Sequence, residues 1–137
     1  MVKTEAARRR GLVAFDGLLL AVGAALYEAN NALVKPLRLP GLAGAFFGGH
    51  FNDVVAGFAF LAYTNVLFDV VRPACRLTRL RVVVPYALLC GLFWEVVAPA
   101  LFKPSVSDPW DLLCYVAGAL LYRAADAAFA RRAGRGA

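Results

Sequence analysis

The chain is poor in the residues that build metal centres and disulfide frameworks. It has one histidine, His50, and three cysteines, Cys75, Cys90 and Cys114. One histidine rules out a histidine-rich metal centre. The cysteines lack ligand-type spacing and fall at different depths of the helices predicted below, so they read as unpaired small apolar residues. No Gly-x-Ser-x-Gly elbow, phosphate-binding loop or His-Glu-x-x-His occurs, which excludes the enzyme classes marked by those motifs. Lysine stands only at positions 3, 35 and 103, so arginine carries most of the positive charge, a bias of GC-rich bacterial genomes. There is no internal repeat and no low-complexity block.

What the chain has in excess is apolar surface. Of its 137 residues 61% are hydrophobic, and the mean hydropathy is +0.65, beyond the range of a soluble domain. A membrane-spanning helix needs about 20 mostly apolar residues. Four such runs fit, at about 11–34, 53–71, 82–102 and 109–130, flanked by basic tails at 1–10 and 131–137. The expected fold class is therefore all-α: a polytopic membrane protein with four transmembrane helices in one domain. The first run is too long for a signal-peptide core, contains Asp16 and shows no small-residue cleavage site, so it reads as a retained helix. The link 35–52 holds Pro36, Pro40, Gly41, Gly44, Gly48 and Gly49, which should break a helix. Its apolar segment 42–47 would lie on the interface or re-enter the membrane.

The basic residues give an orientation. With four crossings, Lys3, Arg8, Arg9 and Arg10, then Arg72, Arg76, Arg79 and Arg81, then Arg131, Arg132 and Arg135 share one side. Lys35, Arg38 and Lys103 are on the other. The positive-inside rule places both termini in the cytoplasm and the links 35–52 and 103–108 outside. The expected location is the bacterial cytoplasmic membrane, with the lipid bilayer as first partner. The net charge of +6 follows membrane borders rather than one soluble face, so nucleic acid is not an expected partner. Tyr27, Trp110 and Tyr122 fall near helix ends, where interfacial aromatics belong.

A carboxylate inside an apolar run is expensive and is a functional candidate. The stretch 94–118 contains three. Glu95 lies seven residues before Phe102, roughly 10 Å below the outer helix end, and Asp108 and Asp111 open the last helix. In this topology the outer half also collects Glu28, Asn30, Asn31, His50, Asn52, Asp53 and Tyr115. These residues are the candidate pocket: Glu95, Asp111, His50, Asp53, Asn52, Asp108, Tyr115 and Glu28. Asp111, Tyr115, Gly118, Tyr122 and Asp126 recur at helical spacing and should form one inward face. Pro99 should kink the third helix at the level of Glu95.

Plainer readings stand beside these. Asp108-Pro109-Trp110-Asp111 also reads as an N-cap, a proline at the first helical position and an acid near the positive helix end. Asn52 or Asp53 could cap the second helix, and a lone histidine at a membrane border is often structural. In the inner half, Asp69 with Arg72 and Arg123 with Asp126 stand at in-helix pairing distance. Asp16 should find one of the same arginines.

Some of these residues carry a family resemblance. A glutamate in the third helix, a short outward link, and an acid, a polar residue and a glycine opening the last helix are here Glu95, Asp111, Tyr115 and Gly118. With His50-Phe51, they resemble the VanZ-like family of small bacterial membrane proteins over roughly residues 50–122. Ala98, Tyr115 and the order His50 before Asp53 depart from that pattern. Asn52-Asp53, Glu95-Pro99 and Ser107, Asp108, Asp111, Tyr115, Gly118 are similar to small four-helix members, some labelled magnesium-citrate secondary transporters.

The resemblance implies a small envelope protein. Joined to the residues, it gives an outward pocket that binds a lipid headgroup, a cell-wall precursor or a partner membrane protein, without an assigned enzymatic reaction. Alternatives are a membrane-embedded enzyme acting on such a headgroup, with Glu95 or Asp111 as base, or a cation-coupled small-anion carrier. The carrier would need a homo-oligomer, because four short helices make a poor path. No cofactor is expected. If a hard cation such as magnesium or calcium binds, Glu95, Asp111 and Asp108 are its ligands.

Overall fold

A computed structural model describes residues 2–101 and 108–135. Residues 102–107 lie outside it, and with them Lys103 and Ser107 of the expected outer link. The apolar runs form helices throughout: α1 Val2–Ala29, α2 Gly41–Ala45, α3 Phe51–Val71, α4 Leu80–Leu92, α5 Ala98–Leu101 and α6 Pro109–Arg135. Among the described residues there is no strand. Four stretches are long and apolar enough to cross a membrane: Glu5–Leu37, Gly41–Val71, Leu80–Leu101 and Pro109–Gly134. Leu18, Leu33, Leu89, Leu113 and Leu121 are exposed around the bundle, a surface that suits lipid rather than water.

The element ends differ from the sequence-based expectation in three places. Residues expected as a basic N-terminal tail belong to α1, and Arg131 and Arg132 belong to α6. Arginine and alanine are both strong helix formers and carry the helices onward. The link 35–52 is largely helical. A 3-10 turn, Lys35–Leu37, ends at Arg38 in the left-handed region, and the break falls at 38–40. From Gly41 the chain winds through α2 and the π turn Phe46–His50 directly into α3, so segment 42–47 extends that helical stack. The third span changes pitch at the π turn Phe93–Val97 just before α5, which carries Pro99. A proline cannot donate back to the Glu95 carbonyl, and the widened turn absorbs the missing bond.

Helix α3 is central, packing on α1 and α6, while α6 also packs on α4. The α3–α6 crossing is tight because it is built on glycine. A Cβ added at Gly57 would collide with the Tyr115 carbonyl, and one at Gly118 with the backbone of Val54 and Phe58. In lipid, such small-residue seams let helix backbones approach and gain van der Waals contact. Leu61, Ala62, Val83, Ala87, Ala119 and Tyr122 form the buried core below this crossing. The predicted inward face of α6 is present: Tyr115, Gly118, Tyr122 and Asp126 are buried and Asp111 half-buried. Tyr122 is thus a core residue, not an interfacial one.

The two ends of the bundle are chemically distinct. At one end the Arg9 Nε donates to the Asp69 carbonyl at 2.6 Å, and Phe15 stacks on Phe129 at 4.2 Å. This joins the start of α1, the end of α3 and the end of α6 into a basic end. At the other end stand the π turns Asn30–Val34, Phe46–His50 and Phe93–Val97 and the start of α6.

Candidate functional site

The glycine seam brings the first turn of α3 against the first turn of α6. There the His50 Nδ1 donates to the Asp111 Oδ1 at 2.7 Å. His50 is 30% exposed in its side chain and Asp111 16%, so the pair is reachable without being free in solvent. Asp53, one turn into α3, completes the set. Ligand-capable atoms of His50, Asp53 and Asp111 all lie within 4.8 Å of one another.

Asparagines of the π turn that follows α1 tie it to the start of α3 beside this set. The Asn30 Nδ2 donates to the Phe47 carbonyl and to the Asn52 Oδ1, each at 2.9 Å, and the Asn52 Nδ2 donates to the Asn31 Oδ1 at 2.9 Å. Asn30 is buried, and its Oδ1 has no protein partner. The π turns matter to this geometry. Each adds a residue to a helical turn and re-aims the side chains beyond it, and Asn30, His50 and Glu95 all sit in one.

The remaining candidates take separate places. Asp108 caps α6: its Oδ1 accepts from the Trp110 amide at 3.0 Å, and its carbonyl accepts from the Asp111 amide at 3.0 Å. The capping reading therefore accounts for Asp108, while the Asp111 carboxylate engages His50. Glu95 is half-buried in the π turn Phe93–Val97 and lies outside the three-residue set. Tyr115 is buried under the set, stacked on Phe60 at 6.3 Å. Glu28 is exposed on α1, and its neighbours Asn30 and Asn31 make the contacts instead.

With a neutral His50 the set offers one nitrogen and two carboxylates, an acceptor-rich, negative site. It suits hydroxyl or ammonium donors, or a cation. The imidazole nitrogen fits manganese or zinc better than magnesium or calcium, which prefer oxygen alone.

The basic end holds a second polar centre that the sequence reading misassigned. Asp69 does not pair with Arg72, nor Asp126 with Arg123. Arg76, from the link between α3 and α4, reaches inward and takes all of these acids. Its Nη1 donates to the Asp16 Oδ2 at 2.6 Å and to the Asp69 Oδ2, and its Nη2 donates to the Asp126 Oδ1 at 2.7 Å. Tyr122 donates to the Asp16 Oδ1 at 2.6 Å and accepts from the Asn65 Nδ2 at 2.8 Å. Asn65 also clasps the Leu77 backbone, accepting from its amide at 2.7 Å and donating to its carbonyl at 3.2 Å. Burial opposes the Arg76 charge, but the bond to Asp69 and the charge of Asp16 outweigh it and raise the guanidinium above its ordinary value. Arg76 is therefore a permanent cation. A signal was available: Asp16, Asp69 and Asp126 all approach the basic border from different helices, and the link that holds Arg76 stands at that border.

No protein-family model, curated protein or solved structure matches this chain.

Proposed function

We propose that this chain is a small VanZ-like protein of the bacterial cytoplasmic membrane, with both termini inside, that binds the polar headgroup of an envelope lipid or cell-wall precursor at its outer end. The observation that carries the reading is the convergence of His50, Asp53 and Asp111 within 4.8 Å. Two carboxylates and an imidazole accept hydrogen bonds from sugar hydroxyls or an ammonium. They repel a bare phosphate unless a divalent cation bridges it. The exposed Trp110 and Trp94 flank this end, as aromatics do at the level of lipid headgroups.

The test is thermal melting of the chain in nanodiscs of defined headgroup, with and without a chelator. Hydroxyl- or amine-bearing headgroups should stabilise the wild type and lose that effect in Asp111→Asn. Stabilisation that ignores the headgroup, or persists in Asp111→Asn, would overturn the proposal.

A second reading is favoured by one detail. The Asp111 carboxylate engages His50 at Nδ1, which leaves Nε2 without that partner on a ring oriented by an acid, the arrangement of a general base. Under that reading, turnover of a headgroup ester would depend on both residues.

A further inference from the structure

Two buried carboxylates of the inner cluster share one nitrogen. Asp16 and Asp69 are fully buried and present their Oδ2 atoms to the same nitrogen, Arg76 Nη1. One guanidinium charge therefore stands against two carboxylates at that point. Asp126 is served by the other nitrogen and lies at a cavity of about 490 Å³ that Arg8 and Arg79 also line. The Asp69 Oδ1 is buried without a hydrogen-bond partner. An ionised carboxylate with a buried, unpartnered oxygen carries a large desolvation cost, and a like charge sharing the same nitrogen disfavours ionisation of both. A neutral acid at this place removes both problems.

We propose that the Asp16–Asp69 pair is a proton-binding site, holding one shared proton at neutral pH and exchanging it through the cavity at the basic end. Among the described residues, charged and polar groups face it from three helices and a link. From α1 come Asp16 and Arg9, the latter bonded to the Asp69 backbone carbonyl. From α3 come Asp69 and Asn65, from the following link Arg76, and from α6 Tyr122 and Asp126. Tyr122 enters as a neutral donor to Asp16, and Asn65 holds its hydroxyl in place. Arg76 stays charged, so the pair is the element whose protonation changes. When the proton leaves, the second negative charge shares the Arg76 nitrogen, with the Arg9 guanidinium at the Asp69 backbone, and the exit runs past Arg76 and Asp126, which line the cavity. This centre lies about 28 Å along α3 from His50, at 1.5 Å per residue. It is independent of the headgroup site.

Difference infrared spectroscopy of the full chain in nanodiscs tests this. The wild type at neutral pH should show the carbonyl stretch of a buried neutral carboxylic acid, shifted by deuterium exchange. Alkaline titration should remove that band, with one more proton released per chain than from Asp16→Asn. Asp16→Asn and Asp69→Asn should each lose it, since either change leaves one carboxylate for the Arg76 nitrogen, whereas Asp111→Asn should retain it. Absence of the band in the wild type at neutral pH overturns the proposal, and that observation needs no variant to fold. Survival of the band in both Asp16→Asn and Asp69→Asn overturns it as well, as does stabilisation by sodium ions in place of the band.

Discussion

Replacing Gly118 by alanine adds one methyl group where the α3 backbone already is. The new Cβ would overlap the Val54 carbonyl and the Phe58 amide, and neither can rotate away. The Cβ would stand 1.9 Å from the Val54 oxygen, and non-bonded heavy atoms sit comfortably at about 3.5 Å or more, so the helices must part by roughly 1.6 Å. Overpacking of this kind costs about 1–3 kcal/mol, and the better helix propensity of alanine returns at most about 1 kcal/mol. The net expectation is a loss of about 1–2 kcal/mol. The consequence for the site is larger than for stability. Asp111 lies two turns from Gly118 on α6, about 10 Å away, so separation at the crossing carries it from His50. The 2.7 Å bond would stretch beyond hydrogen-bond range. Thermal melting in nanodiscs, with headgroup-dependent stabilisation recorded alongside, reads both effects. Gly17→Ala is the control, because a Cβ there meets nothing within 4 Å and should be neutral or mildly stabilising. Equal melting of Gly118→Ala and Gly17→Ala, with headgroup dependence intact in both, would refute the tight-crossing argument.

Other expectations follow from single contacts. Arg76→Gln strands three acids at the basic end and should cost about 3–5 kcal/mol in chemical denaturation; Arg76→Lys should recover only part, because one ammonium cannot span the fork that reaches Asp16, Asp69 and Asp126. Asn65→Leu keeps the volume but frees the Leu77 amide, and should cost about 1–3 kcal/mol with faster hydrogen exchange at Leu77. Since the Arg76 guanidinium is raised above its ordinary value, it stays protonated in both folded and unfolded chains below alkaline pH. Arg76 itself should therefore add no slope to stability between pH 5 and 9; pH-dependent chemical denaturation should trace any slope in that window to the acids it serves. On a background without Cys75, Cys90 and Cys114, an impermeant thiol reagent added to intact cells should label Arg38→Cys and not Arg79→Cys; the reverse pattern would invert the proposed orientation.

The helices were legible because their signal is composition summed over some twenty residues, which local context cannot reverse. The inward face of α6 was legible for a similar reason: five residues at helical spacing specify an azimuth. The basic tails were misjudged because arginine marks a membrane border without marking a helix end. Pairing of charges was the weakest inference. In-helix spacing offered Arg72 to Asp69 and Arg123 to Asp126, yet three buried acids on three helices compete for one donor, and the planar fork of Arg76 satisfies them together. Likewise Asn52, Asp53 and Asp108 could each be read as a cap. Only the geometry separates them: Asp108 caps α6, Asn52 binds Asn30 and Asn31, and Asp53 joins His50 and Asp111. Glu28 and Asn30 are two residues apart, and the π turn that begins at Asn30 decides which of them turns inward.

The central claim is that His50, Asp53 and Asp111 hold a polar ligand. Native mass spectrometry of the chain released from its own membrane tests it most directly, comparing wild type with the Asp53→Asn, Asp111→Asn double variant. The account predicts a lipid or metal–lipid adduct on the wild type that is absent from the double variant, while both retain their helical content. The same adducts on both proteins would contradict it.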